Sequence, residues 1–311
     1  MTGLSANLKS RLFQFMSHLS EVKMSKHKFT ASKEGSAAYF EALNKYMEGN
    51  VLHPDKGFIC EHEKACRESC MADRKFHPGQ LHHVGEYYAL ERNGKPFRIV
   101  ISGAEYGDES ECVSIEDRTD EITCLQKCKP SDWNPHMRGT LILLQLLFGK
   151  EPENPSAGKE AMSVDVNGRS VNILKTFAMP NFLLCSARKL GDERPIQESA
   201  SVDVMQQNCA EHYKETLEAL KPQIVILQGD RSYGDRSCGF WWNCYEKSMK
   251  PKAAEIQHVK VNGCETETLI LPLYHPSYPQ RAWGGKRYAA TNDYVRPAVE
   301  SLLKEYEKIH G

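Results

Sequence analysis

A helical pattern is followed by an apolar, strand-like run in the stretch Asn208-Cys209-Ala-Glu-His-Tyr-Lys-Glu-Thr-Leu-Glu-Ala-Leu-Lys-Pro222-Gln-Ile-Val-Ile-Leu-Gln-Gly229. Residues 200–220 have the pattern of a helix, and residues 223–227 form an apolar run that ends just before Gly229. A helix that leads into a buried strand is the repeating unit of α/β proteins.

Further candidate elements lie on both sides of this unit. Strands are predicted in four segments: residues 87–90, 97–102, 171–177 and 269–273. The turn Asn93-Gly94-Lys95-Pro96 separates the first two, helices are predicted over 137–148 and 291–308, and 108–132 is predicted to be a charged loop. This alternation predicts an α/β fold, a three-layer α/β/α sandwich with a central, mostly parallel sheet of about four to five strands.

Distinctive polar and small residues directly follow the predicted strands. They are residues 103–108, Asn181, Gly229 and His275. Because active sites of such sheets gather at the carboxyl ends of the strands, this placement indicates a site there.

Composition bounds the function. The 311 residues are 40% hydrophobic and 26% charged, with a formal net charge of −1. Such a balance argues against a non-specific nucleic-acid coat protein but allows an enzyme with one basic groove. No apolar run approaches the roughly 20 residues of a membrane span, and residues 1–20 lack the apolar stretch of a signal peptide, which predicts a cytoplasmic protein.

Eleven cysteines are many for such a chain. In a reducing compartment they are more typical of metal binding than of a disulfide framework, although some are expected to be small buried hydrophobes.

Four segments resemble the uracil-DNA glycosylase superfamily, in its iron–sulfur (family four-like) branch. The segment Leu271-Pro-Leu-Tyr-His275-Pro-Ser277-Tyr-Pro-Gln-Arg281 resembles the His-Pro-Ser motif, and residues 208–229 resemble the branch's helix–strand unit. Asn181-Phe-Leu-Leu-Cys185 resembles the Asn-x-x-x-Cys segment, and Gly103-Ala-Glu-Tyr-Gly-Asp-Glu109 stands where the first motif lies. The four segments keep the family's order from about residue 58 to 300.

The resemblance implies a domain division and a function. Residues 1–55 would be a helical N-terminal extension, and residues 56–311 a glycosylase-like catalytic domain with an insertion at about 110–131. The enzyme would be a monofunctional DNA glycosylase, a hydrolase that removes a flipped-out base and leaves an abasic site. DNA would be the partner, with no membrane and a monomeric protein.

The resemblance also implies a [4Fe–4S] cluster, which needs four thiolates. Cys185 and Cys209 match the two later ligands, and Cys66 and Cys70 are chosen as the first two because residues i and i+4 share a helical face. Cys60 competes with them, since the family spacing there is Cys-x-x-Cys. The less favoured alternative is a zinc site that His62 completes.

Other cysteines have simpler interpretations. Cys112, Cys124 and Cys128 form a second group, either a small zinc site or unpaired loop thiols. Cys238, Cys244 and Cys264 are interpreted as structural.

Roles for the site residues follow from the resemblance and the chemistry. His275 would donate a hydrogen bond to the departing base, and Asn181 would pair with a pyrimidine edge. Glu105 would hold the attacking water and balance the cationic sugar, with Asp108 as the alternate. The other expected substrate contacts are Gly103, Tyr106, His136 and Ser277.

Two departures from the family pattern bear on the substrate. Ala104 occupies the usual position of the first-motif acid, with Glu105 one residue on, and His136 replaces the phenylalanine that stacks on uracil. Together with the insertion, they favour a larger or more polar pyrimidine, such as a hypermodified cytosine of phage DNA, and hence an antiviral defence enzyme. Uracil repair and a DNA-sensing member without hydrolysis are the alternatives.

DNA contacts are expected after the His-Pro-Ser motif. The candidates are Tyr278, Gln280, Arg281, Lys286 and Arg287, joined by Arg236. Tyr278 or Gln280 would fill the gap left by the flipped base. Trp241 and Trp242 are interpreted as core residues rather than a stacking platform.

Overall fold

A computed structural model describes residues 27–106, 109–152, 162–191, 202–229, 254–276 and 291–311. Its helices are α1 (Lys33–Asn50), α2 (Glu63–Ser69), α3 (Ile115–Cys124), α4 (Pro135–Leu147), α5 (Asp203–Leu220) and α6 (Arg296–His310). The first eight strands are β1 (Phe29–Ala31), β2 (Leu52–His53), β3 (Gly57–Phe58), β4 (Arg74–His77), β5 (His83–Val84), β6 (Leu90–Arg92), β7 (Lys95–Pro96) and β8 (Ile99–Ser102). The later ones are β9 (Ser163–Val166), β10 (Arg169–Asn172), β11 (Ala178–Met179), β12 (Ser186–Lys189), β13 (Ile224–Gln228), β14 (Gln257–Val259) and β15 (Thr268–Leu273).

The largest sheet of the described residues has six strands in the order β14-β15-β13-β8-β11-β5. The pairs β15–β13, β13–β8 and β8–β11 are parallel, whereas β14 and β5 join the edges antiparallel. The sheet is therefore mixed, and it has six strands where about four to five were predicted. The two edge strands are too short for their sequences to show a strand pattern.

Side chains of the central strands alternate between two hydrophobic cores. In β13, Ile224 and Ile226 pack in the core that contains α4 and α6, whereas Val225 and Leu227 pack in the core that contains α1 and α5. Successive residues of a strand point to opposite faces, so the near-continuous apolar run of β13 is buried on both sides. The α/β class predicted from the sequence is confirmed.

Two predicted boundaries are corrected. The turn at Asn93 and Gly94, both with positive φ, joins β6 to the two-residue strand β7, and the sheet strand β8 begins only at Ile99. Residues 171–177, predicted as one strand, contain the end of β10 and a short 3-10 helix before β11 begins.

The segment predicted as a charged loop contains helix α3. The Ser114 hydroxyl accepts a hydrogen bond from the Asp117 backbone amide, and the Asp117 carboxylate accepts one from the Ser114 backbone amide. This reciprocal pair is a capping box that stabilises the start of the helix. Ile115 and Ile122 are buried, so α3 is anchored in the cores despite its charged surface. The expectation of a loop at these positions was wrong because it weighed charge above capping.

The described part of the predicted N-terminal extension is joined to the rest of the chain. Strand β1 pairs with β6, and α1 packs against α5. The division at residue 55 stays a prediction.

Candidate active site

Two strands of the sheet end side by side at Gly103 and Asn181. An isolated parallel bridge joins these two residues, beyond the ends of β8 and β11. The Gly103 amide donates to the Pro180 carbonyl at 3.2 Å, and the Phe182 amide donates to the Gly103 carbonyl at 3.0 Å. The backbone thus holds the Asn181 side chain beside the first-motif loop.

A side chain at position 103 would be crowded by its neighbours. A Cβ placed there would lie 3.0 Å from Asn181 Oδ1 and 3.1 Å from His136 Cε1, closer than ordinary van der Waals contact. Asn181 and His136, which the sequence singled out separately, therefore both lie close to the Gly103 backbone.

The Asn181 side chain is buried, with 3% of its surface exposed. Its Nδ2 has no hydrogen-bond partner among the described residues. Burying an amide donor without a partner costs about 1–3 kcal/mol, so such a group marks a position where a ligand acceptor would be bound.

His136 and His275 stack on each other, with ring centroids 5.6 Å apart and planes inclined by 24°. His136 lies in the first turn of α4, whose start is capped by Asn134 accepting from the Met137 amide at 2.8 Å. His275 lies two residues after β15. The start of α4 and the end of β15 thus place His136 and His275 against each other.

Burial favours the neutral form of both imidazoles. Burial, with smaller contributions from His275 and Arg118, lowers the pKa of His136 to about 3. Burial lowers the pKa of His275 to about 4. A neutral imidazole keeps one N–H donor and one acceptor, so each ring can still recognise a polar base.

Helix α3 supports one wall of the first-motif loop through Arg118. The guanidinium carbon lies 3.7 Å from the centroid of the Tyr106 ring, and its Nη1 lies 2.6 Å from Glu121 Oε2. Tyr106 Oη donates to the same carboxylate oxygen at 2.6 Å. The sequence analysis missed Arg118, whose only local signal is its i, i+3 spacing to Glu121.

Glu105 follows Ala104 in this loop, and its charge is close enough to raise the pKa of the Cys70 thiol, although burial is the main cause. The loop therefore runs between the cysteines and the pocket around Asn181, His136 and His275, called the base pocket below.

Cys185 lies within electrostatic range of three other cysteines that come from two further segments. Burial raises the pKa of the Cys185 thiol well above its usual value, and Cys209, Cys60 and Cys66 add to this rise. Cys70 instead lies next to Cys66, with its Sγ 3.5 Å from the Cys66 carbonyl oxygen. Cys60 and Cys70 both lie within electrostatic range of Cys66, so Cys60 stays in competition with Cys70, the ligand preferred from the sequence.

Polar side chains surround these thiols. Asn208 Nδ2 donates to Cys66 Sγ at 3.3 Å, and His212 Nε2 lies 3.5 Å from Cys60 Sγ. Tyr46 Oη lies 2.9 Å from the other ring nitrogen of His212. Donors of this kind stabilise thiolate ligands.

Across the described ranges, no three His, Cys, Asp or Glu side chains are close enough to hold a single metal ion. This geometry gives no support to either zinc alternative. An iron–sulfur cube holds its thiolates farther apart than one ion does, so the same observation does not bear on it. Cys112, Cys124 and Cys128 are exposed and Cys264 is buried.

Several predicted site residues lie outside the described residues. They are Asp108, Ser277, Tyr278, Gln280, Arg281, Lys286 and Arg287, together with Arg236, Cys238, Trp241, Trp242 and Cys244.

The fold and site define an α/β protein that can recognise a flat polar ring at the ends of its central strands. Residues 146–302, half of the chain, match the uracil DNA glycosylase superfamily, and the chain belongs to that superfamily. The match includes Asn181, Cys185, Cys209 and His275. No curated protein matches the chain.

Membership of this superfamily suggests a DNA glycosylase, a hydrolase that acts on DNA. None of the described helices is both long and apolar enough to cross a bilayer.

Proposed function

We propose that the protein is a monofunctional DNA glycosylase that hydrolyses the N-glycosidic bond of a flipped-out pyrimidine and leaves an abasic site. The observation that carries this proposal is the buried Asn181 amide, whose Nδ2 has no partner among the described residues and whose side chain, like that of His136, lies close to the Gly103 backbone. A pyrimidine edge offers the acceptor and donor that this amide needs.

The chemistry needs charge stabilisation at two places. The bond from the base to C1′ breaks with its electron pair going to the base, and a water oxygen bonds to C1′. The water gives up one proton to a base or to solvent, and the departing base anion takes up one proton in return. Neutral His275 donates a hydrogen bond to a carbonyl oxygen of that anion. Glu105 orients the water and balances the cationic sugar, with Asp108 as the alternate.

Cys60, Cys66, Cys185 and Cys209 fit an iron–sulfur cluster, because their thiols converge from three segments and accept nearby polar donors. When bound, the cluster would cross-link α2, the Asn181–Cys185 segment and α5. The Asn181–Cys185 segment is short, so anchoring its cysteine fixes the backbone of the base-reading residue.

For the substrate we favour a bulkier or more polar pyrimidine than uracil, such as a hypermodified cytosine of phage DNA, in a cytoplasmic defence enzyme. His136 supports this reading, since it places a hydrogen-bonding ring where an apolar ring stacks on uracil in the family. The Tyr106–Arg118–Glu121 wall adds further polar groups beside the pocket.

The test is base release by the anaerobically purified full chain. DNA containing uracil and genomic DNA of phages with modified cytosines are each incubated with the protein, and the released bases are identified by mass spectrometry. Asn181→Ala is expected to lose at least about 100-fold in rate, a loss typical of removing one transition-state hydrogen bond. Asn262→Ala, which changes an exposed asparagine bonded to Glu218, is the matched control and keeps the wild-type rate.

The outcomes distinguish a defence glycosylase, a repair glycosylase and a sensing protein. Release from modified phage DNA alone supports a defence glycosylase, and release of uracil alone supports repair and removes the modified-base proposal. Binding without release from either DNA would overturn the glycosylase assignment and favour a sensing protein.

A further inference from the structure

The two-stranded ribbon of β4 and β12 carries a cationic face outside the base pocket. Its register places Lys75 directly opposite Arg188 and His77 opposite Ser186. Residues two apart on a strand share a face, so Lys75, His77 and Arg188 lie on the same side of the ribbon. Like charges directly opposite on a ribbon repel each other, which makes this face costly without an anion.

This face lines a cleft of about 230 Å³. Its lining residues are Lys75, His77, Glu109, Arg188, Lys189, Leu190 and Gly191. Arg188 Nη1 lies 3.2 Å from a carboxylate oxygen of Glu109, whose side chain is 65% exposed. Since an exposed ion pair contributes little, Glu109 is a counter-ion that a bound anion could displace.

Nitrogen donors in the cleft wall are buried without hydrogen bonds. His77 is fully buried, and neither of its ring nitrogens makes a hydrogen bond among the described residues, although Nδ1 lies 3.3 Å from Glu111 Oε1. Arg188 Nε is also buried with no partner in the described part of the chain. Buried N–H groups are normally satisfied, so these atoms indicate a missing acceptor.

Two segments of the chain supply residues both to the cleft and to the site around Asn181. Glu109 follows Gly103 by six residues, and Arg188 follows Asn181 by seven. The two segments that meet at the Gly103–Asn181 bridge therefore also supply residues to the cleft.

We propose that this cleft binds a phosphodiester of the DNA strand that carries the flipped nucleotide. Arg188 exchanges Glu109 for phosphate oxygens, and Lys75 and Lys189 supply further charge. Arginine matches the planar pair of phosphate oxygens through two parallel N–H donors, and Arg188 Nε is available for one of them. The inference rests on the proposed action on DNA, and it adds a positioning site that the His-Pro-Ser segment does not contain.

The test is the salt dependence of DNA binding by the full chain, measured by fluorescence anisotropy with a labelled duplex containing one uracil. Arg188→Gln and Lys75→Gln are each expected to weaken binding several-fold and to reduce the slope of log K against log salt by about 0.9. Lys75 is exposed, so its variant keeps the test valid if Arg188→Gln does not fold. Lys304→Gln, which changes an exposed lysine of α6, is the matched control and keeps the wild-type slope.

Wild-type slopes in both cleft variants would overturn the proposal, as would a wild-type protein that binds no DNA. Binding of inorganic phosphate in the cleft, together with a wild-type slope of log K against log salt for DNA binding in both cleft variants, would identify a site for free anions. That outcome would overturn the assignment to DNA. A parallel base-release assay separates the two proposals. DNA binding with the expected slopes but no released base would remove only the glycosylase function, whereas base release with unchanged slopes would remove only the cleft.

Discussion

The His136 ring stacks on the His275 ring with centroids 5.6 Å apart. A base inserted between two rings needs about 3.5 Å on each side, roughly 7 Å in all. The space between these histidines is therefore too narrow for a base. Under the proposed function, a flipped base would meet the edge of the pair, where both rings can offer hydrogen bonds, or displace one ring.

His136→Phe is expected to change the choice of substrate. Phenylalanine can keep the stack on His275 but offers no hydrogen bond, so a base with a polar substituent loses one partner. We expect release of a modified cytosine from phage DNA to fall about 10- to 100-fold in kcat/KM, while release of uracil is unchanged or rises. Steady-state kinetics on both DNAs measure this split.

The control variant is His258→Phe. His258 lies in the edge strand β14 and pairs with Glu267, so this change should leave both rates unchanged. An equal fall for both substrates in His136→Phe would mean that His136 acts only through the position of His275.

Gly103→Ala is expected to reduce activity more than stability. The new methyl group meets Asn181 Oδ1 and His136 Cε1, so both side chains must move by a few tenths of an ångström. We expect kcat/KM for base release to fall at least about 10-fold and the free energy of unfolding to fall by about 1 kcal/mol. Gly49→Ala is the matched control, because a Cβ there meets nothing within 4 Å. It should keep full activity, and wild-type activity in Gly103→Ala would show that the pocket tolerates the shift.

Cysteine variants distinguish the two possible ligand sets of the cluster. Because the Cys60 thiol raises the pKa of the Cys185 thiol and therefore lies near it, Cys60→Ser is expected to lose most of the iron. Cys70→Ser should retain about four iron atoms per chain. Iron and sulfide analysis and the visible absorbance of anaerobically purified proteins measure the difference. Retention in Cys60→Ser with loss in Cys70→Ser would restore the ligand set chosen from the sequence.

Local patterns predicted the central elements well. The helix and strand expected at 200–220 and 223–227 are α5 and β13, and the strand expected at 269–273 is β15. These elements are long and strongly apolar on their buried sides, so periodicity alone identifies them. Asn181 and His275 could be placed for the same reason, since each follows a sheet strand.

Tertiary contacts decided what the sequence could not. Helix α3 depends on the Ser114–Asp117 capping box and two buried isoleucines within a charged segment. The proposed choice of Cys60 as a ligand draws on the contact of its thiol with His212 of α5, which the sequence does not show. The contact between Arg118 and Tyr106 could not be predicted, because no sequence pattern links these two residues.

Buried histidines predict a loss of stability in acid. His82 and His83 lie in or next to β5 and are buried, and burial lowers the pKa of each to about 3. In the unfolded chain each has a pKa of about 6.5, so below that pH the unfolded state binds more protons and the folded state loses stability as pH falls. At about pH 5 each histidine costs roughly 2 kcal/mol relative to about pH 7.5.

His82→Gln removes one of these groups and keeps a side chain that can bond Thr216 Oγ1, which lies 3.2 Å from His82 Nε2. Urea unfolding at about pH 7.5 and about pH 5 should show that the variant loses about 2 kcal/mol less than the wild type between the two pH values. Thr216→Val is the matched control, because it removes the same hydrogen bond without removing a titrating group. It should be less stable at both pH values and keep the wild-type pH dependence. A wild-type pH dependence in His82→Gln would mean that His82 remains protonated in the folded protein, and burial would not then govern this histidine.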